Sequence, residues 1–95
     1  MISAVERVRL AVVETPGELP AEVRQALLAG EPAPAPFEDY VEKVRRHAYR
    51  VTDAEVEALV AASSDDAVFE ATVAAALGAG LARLHAGLSA IEAAR

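Results

Sequence analysis

Residues 66–95, DAVFEATVAAALGAGLARLHAGLSAIEAAR, hold no proline and read as one uninterrupted helix. At ~1.5 Å per residue such a helix is about 45 Å long. A compact chain of 95 residues has a radius of gyration of only ~12 Å, so part of this helix calls for cover from outside its own domain. Leu77, Leu81, Leu84, Leu88 and Ile91 recur at spacings of four, three, four and three, a heptad seam that Phe69 and Val73 extend towards the start. A second row of small residues, Ala74, Gly78 and Ala82, runs beside it at four-residue intervals, with Ala75, Ala79 and Ala86 close by. Inside a helix each glycine costs ~1 kcal/mol relative to alanine, so Gly78 and Gly80 are expected to serve close packing. Two apolar stripes imply two partners: the domain's own helices and a second subunit, through an interface of Phe69, Val73, Leu77, Gly78, Leu81, Leu84 and Leu88. The alternative is that both stripes are served within a monomer.

Upstream of this helix, Ser63-Ser64-Asp65-Asp66 supplies an N-cap and acids that oppose the positive end of the helix dipole. Thr52-Asp53-Ala54-Glu55 has the form of a capping box, in which Thr52 accepts the Glu55 amide and the Glu55 carboxylate reaches back. It starts a fourth helix with Val56, Leu59 and Val60 facing inward. The third helix places Phe37, Tyr40, Val41, Val44 and Ala48 on one face and Glu38, Asp39, Glu42, Lys43, Arg45 and Arg46 on the other. Asp39 with Lys43 and Glu42 with Arg46 are i,i+4 pairs, each worth ~0.2–0.5 kcal/mol, and fit a solvated surface.

Residues 31–36, EPAPAP, form a stiff extended linker, since each proline fixes its own φ and disfavours α in the residue before it. Ahead of it, Ile2, Val5, Val8, Val12 and Val13 near helical spacing predict a first helix over 2–14, with a strand as the alternative, ended by Pro16-Gly17. Pro20 suits a first helical turn, and Val23, Ala26 and Leu27 carry a second helix to a Gly30 cap. The expected organisation is one domain over 1–95: a helical arm 1–30, the linker 31–36 and a helical core 37–95. The fold class is all-α, about five helices ending in a long one.

Composition narrows the function classes. A formal net charge of -6 and an isoelectric point near 4.8 argue against nucleic acid, whose phosphates need clustered Lys and Arg. The basic run Lys43-Val44-Arg45-Arg46 is interrupted and set among acids. With no cysteine there is no disulfide, thiol nucleophile or thiolate metal site, which suits a cytoplasmic setting. The N-terminus, acidic at Glu6 and without a long apolar stretch, is not read as a signal peptide. Ala71–Ala82 is an uncharged run of twelve residues closed by Arg83, short of the ~20 that span a bilayer, so no membrane partner is expected.

Ala48-Tyr49-Arg50-Val51-Thr52-Asp53-Ala54-Glu55-Val56-Glu57-Ala58-Leu59, followed by Val68-Phe69-Glu70-Ala71-Thr72-Val73-Ala74-Ala75-Ala76-Leu77-Gly78-Ala79-Gly80-Leu81, resembles the carboxymuconolactone decarboxylase and alkylhydroperoxidase D-like proteins over residues 37–95. There a "VTDEDV"-type helix start leads through a "GYSDDEIFE"-type turn into a long last helix. The resemblance implies an alkylhydroperoxidase D-like helical bundle that assembles as dimers, trimers or hexamers. The family's redox activity uses a Cys-x-x-Cys with a nearby Glu and His. None of that motif is present, and without a thiol the disulfide-peroxidase mechanism is excluded. The decarboxylases' active-site residues belong to the half of the family fold that this chain lacks, so no functional residue carries over. The turn Ser63-Ser64-Asp65 is one residue shorter than the family's Gly-Tyr-Ser version, and the chain reads as a member reduced to its oligomerising core.

Candidate chemistry is sparse. His47 sits at the edge of the third helix's apolar face and His85 flanks Leu81 and Leu88; a structural role is the simpler reading of each. Glu-x-x-His and His-x-x-x-His are both absent, so the helical spacings of di-iron and zinc sites are missing. Glu38 with Glu42, or Glu55 with Glu70, would become a working carboxylate pair only in a dry cleft. Ser3, Ser63, Ser64 and Ser89 lack a nucleophile elbow. The favoured expectation is a non-catalytic cytoplasmic homo-oligomer, a structural or interaction module without catalytic residues, cofactor or metal, alongside a separate protein partner. The alternative is a small enzyme or ligand-binding protein with a subunit-interface pocket using Glu42, His47 or His85 as acid or base.

Overall fold

Three of the five helices start where the sequence supplies a side-chain acceptor for their free amides. In the computed structural model, which describes residues 3–95, the regular elements are α1 (Ala4–Glu14), α2 (Ala21–Leu28), α3 (Glu38–Arg46), a 3-10 turn (Ala48–Arg50), α4 (Asp53–Ala62) and α5 (Asp65–Ala94). Among the described residues there is no strand; Ile2 and the side chain of Val5, assigned to the first helix's apolar face, lie outside the described parts. Ser3 Oγ accepts the Glu6 amide at 3.1 Å, Thr52 Oγ1 that of Glu55 at 3.2 Å and Ser64 Oγ that of Ala67 at 3.0 Å. The carbonyl of Pro20 accepts the first amides of α2 from Val23 and Arg24. At the other end of α2, Gly30 at φ 82° donates to the Leu27 carbonyl while Glu31 donates to that of Ala26. This is a Schellman cap, whose left-handed residue favours glycine.

Two local expectations change in the tertiary structure. The capping box at Thr52 closes on one side only, because the Glu55 carboxylate takes Lys43 Nζ at 3.0 and 3.1 Å instead of reaching back. That bridge joins α4 to α3 and draws Lys43 away from Asp39, whereas Glu42 and Arg46 do pair at 2.7 Å on the surface. The third helix also stops short. His47, at φ -144° and ψ 53°, ends it, and Ala48 falls in the 3-10 turn, exposed and off the apolar face.

The core is built on α5. Its Ala67, Val68, Ala71, Ala74 and Ala75 are buried together with Leu27, Phe37, Tyr40, Val41 and Leu59. Small side chains let the neighbouring helices come close, and α2 comes closest: a Cβ on Gly78 would lie 2.9 Å from the carbonyl carbon of Leu28. Gly80 meets nothing within 4 Å, so packing accounts for one of the two glycines only. Since Leu27 is fully buried against α5, α2 belongs to the core and is not an arm set apart from a 37–95 unit. Tyr40 and Thr72 fix α3 on α5. The Thr72 hydroxyl donates to the Val68 carbonyl at 2.7 Å, which leaves the Tyr40 hydroxyl to donate to Thr72 Oγ1 at 2.6 Å.

From Ala82 onward every residue of α5 is exposed. The helix projects from the bundle and accounts for the 50 Å long axis of a molecule 30 and 18 Å across its other axes, with a radius of gyration of 14.5 Å. By length and composition α5 is also apolar enough to cross a membrane. The sequence expectation counted only its uncharged run. In this fold a third of its most apolar window is buried in the bundle.

Candidate functional site

At 100° of rotation per residue, Ala67, Ala71, Ala74, Ala75 and Gly78 share one face of α5, the face that α2 and α3 cover. Phe69, Val73, Leu77, Leu84, Leu88 and Ile91 share another, turned roughly 130° away. Phe69 is 69% exposed, Leu84 51%, Leu88 57% and Ile91 56%, while Val73, Leu77 and Leu81 are half-buried. Gly78 belongs to the covered face and lies under Leu28 of its own chain. It therefore leaves the expected intersubunit set, and the close approach it permits is intramolecular. Beside Phe69 and Val73, the side chains of Val8 and Val12 from α1 border a shallow apolar hollow of about 310 Å³.

Arginines organise the ends of the helices, a role that was not read from the sequence. Neither α1 nor α2 has a basic residue in its last turn, although the last carbonyls of a helix lack intrahelical partners. Arg24 of α2, only 6% exposed, donates through Nη1 to the carbonyls of Val12 at 2.7 Å and Thr15, and through Nε to that of Leu19 at 3.2 Å. Arg45 of α3 donates to the carbonyls of Leu27 at 3.0 Å and Glu31 at 2.7 Å, past the end of α2. Arg83 of α5 donates to the carbonyl of Arg45 in the last turn of α3. The ends of α1, α2 and α3 are thus each closed by an arginine from a later helix. The signal available in the sequence was the lack of a basic residue in the last turn of α1 and α2.

Where α5 leaves the bundle, an open groove of about 670 Å³ lies between it, the end of α2 at Leu28–Gly30 and the end of α3. Leu81, Leu84 and Leu88 supply its apolar side; Arg9, Arg45, Arg46, Arg83 and His85 supply its polar side. No acidic side chain lines it among the described residues. Four of the chain's nine Lys and Arg meet here, in a protein of formal net charge -6. Arg46 has the exposed Glu42 at 2.7 Å and Arg9 the exposed Glu6 at 3.8 Å. Arg45 and Arg83 have no carboxylate within 4.0 Å among the described residues.

The remaining candidates are dispersed. His47 is exposed, its ring edge-on to Tyr49 at 5.9 Å, and His85 lies on the groove wall, so the two histidines share no site. Glu42 is engaged by Arg46, Glu55 by Lys43, and Glu70 by the amides of Glu18 and Leu19 at 2.9 Å each. Glu38 and Glu42 lie exposed on α3, and Glu55 and Glu70 are engaged by separate partners, so neither carboxylate pair considered from the sequence sits in a dry cleft. Among the described residues no group of three His, Cys, Asp or Glu is placed to hold a metal ion. Ser63 donates to the Leu59 carbonyl and Ser64 caps α5, which are structural uses of both hydroxyls. Comparison with protein-family models, curated proteins and solved structures finds no match to this chain.

Proposed function

We propose that this protein is a non-catalytic helical interaction module of the cytoplasm that self-associates through the open face of α5, in the manner of the carboxymuconolactone decarboxylase-like proteins it resembles. One observation carries the reading: α5 has two apolar faces and its own bundle fully covers only the small-residue one. A row of large apolar side chains half or more exposed, as at Phe69, Leu84, Leu88 and Ile91, is the mark of a docking surface. A second copy supplies the same row, and Phe69, Val73, Leu77, Leu81, Leu84 and Leu88 form the contact. Replacing Leu81 by Glu puts a charged carboxylate into that apolar contact. The variant is expected to lose the assembled mass seen by light scattering, and an unchanged mass rejects the seam. The dispersed histidines and engaged carboxylates give no support to an acid-base enzyme. Of the alternative, the ligand-binding half has an observation behind it, the arginine-lined groove.

A further inference from the structure

From the groove where α5 leaves the bundle, we infer that a single chain of this protein binds a small anionic amphiphile: an oxyanion head on one unbranched apolar tail, free in solution. Arg45, Arg46 and Arg83 form the head site. Arg45 and Arg83 are held by backbone carbonyls, so they are fixed in place while their charge stays unneutralised by any carboxylate among the described residues. Arg45 Nε is in addition buried without an acceptor. Guanidinium groups fixed in advance lose little freedom when they take a carboxylate or phosphate. An all-positive wall without acids also raises the local concentration of anions.

The tail site is the row Leu81, Leu84, Leu88, about 10 Å long at ~1.5 Å per residue. Its leucines stay partly wet, and a hydrocarbon chain laid along them would remove that apolar surface from water. The groove's volume of about 670 Å³ falls in the ~300–1,000 Å³ range of small-molecule sites. Its apolar side is a single row of three leucines, which suits one hydrocarbon chain better than the broad apolar stripe, ~100° or wider, of an amphipathic helix. Leu81, Leu84 and Leu88 all belong to the proposed self-association face as well, so tail and second copy compete, but the ligand site is complete within one chain.

Calorimetric titration with decanoate below its micellar concentration tests this on the wild-type chain and on Phe69→Glu, which disrupts the open face outside the groove. The expected result is saturable binding of one decanoate per chain in both. Affinity should tighten about fourfold for each methylene added from octanoate to decanoate, and decyltrimethylammonium should not bind. Arg46→Gln, whose partner among the described residues is the exposed Glu42, and Arg83→Gln should each weaken decanoate about tenfold or more, and the urea midpoint of Arg46→Gln should stay fixed. Absence of saturable binding, equal binding of the cationic amphiphile, or full affinity in both arginine variants would overturn the proposal. So would binding to anionic phospholipid vesicles or to an acidic amphipathic peptide without binding of decanoate. A wild-type chain that is monomeric by light scattering yet binds decanoate removes the self-association reading and leaves this one standing; an oligomer blind to decanoate does the reverse.

Discussion

Arg24 and Glu70 hold the backbone of Leu19 from its two polar groups: Glu70 Oε1 accepts its N–H at 2.9 Å and Arg24 Nε donates to its carbonyl at 3.2 Å. Through this one residue the α1–α2 connection is tied at once to α2 and to α5. Gly17 makes room for the arrangement, since a Cβ there would lie 2.7 Å from Glu70 Cδ. Arg24→Met strips donors from the carbonyls of Val12, Thr15 and Leu19 and should destabilise by about 2–3 kcal/mol in urea unfolding. Glu70→Gln should cost about 1–2 kcal/mol, and the double variant less than the sum, because both side chains act on Leu19. Additivity within ~0.3 kcal/mol would contradict the coupling.

Two glycines of α5 should respond to alanine with opposite signs. At Gly78 the new Cβ meets the Leu28 backbone, at 2.9 Å from its carbonyl carbon and 3.1 Å from its Cα, so α2 must move. Gly78→Ala is expected to lower stability by ~1–3 kcal/mol despite the better helix propensity. Gly80 has nothing within 4 Å, and Gly80→Ala should raise stability by ~0.5–1 kcal/mol. Thermal melts of the two variants check both signs, and a gain in stability for Gly78→Ala would refute the close α2–α5 crossing.

The Tyr40 hydroxyl bonds across the core to Thr72, and Tyr40 is itself buried. Tyr40→Phe removes the donor while Thr72 keeps its bond to the Val68 carbonyl, so the loss should be modest, ~0.5–1.5 kcal/mol. Thr72→Val should cost more, about 1–3 kcal/mol, since it leaves the Tyr40 hydroxyl buried without an acceptor. Denaturant midpoints that rank the two variants the other way would reverse the donor assignment.

What could be read from the chain, and what could not, follows from the range of the forces involved. Caps at Ser64 and Gly30, the long last helix and its two apolar rows rest on neighbours three or four residues apart, which the sequence displays directly. The partner of Glu55 could not be read that way, because Lys43 approaches it from another helix and wins over the local capping contact. The stop of α3 at His47 was missed for a related reason, as Ala48 continues the apolar spacing while the backbone turns away. The groove was hidden most deeply. Arg9, Arg45 and Arg83 are remote in sequence, and the acidic composition of the whole chain masks a local excess of positive charge.

Leu88, 57% exposed at the projecting end of α5, should separate association from folding, as Leu27, fully buried, should not. Leu88→Glu is expected to leave the urea midpoint of a dissociated sample within ~0.5 kcal/mol of wild type. Leu27→Ala should cost ~2–5 kcal/mol wherever the chain is measured. Paired urea titrations at two protein concentrations distinguish the cases, and a large concentration-independent loss in Leu88→Glu would place Leu88 in the core of the single chain.

Absolute mass by light scattering during gel filtration, at low micromolar concentration and neutral pH, tests the central claim that α5 turns its second apolar face to another copy. The expected result is a discrete multiple of the 9.9 kDa chain that Leu81→Glu reduces to a single chain. A stable 9.9 kDa species in the wild type would contradict it and leave the exposed row of α5 without a second copy to cover it.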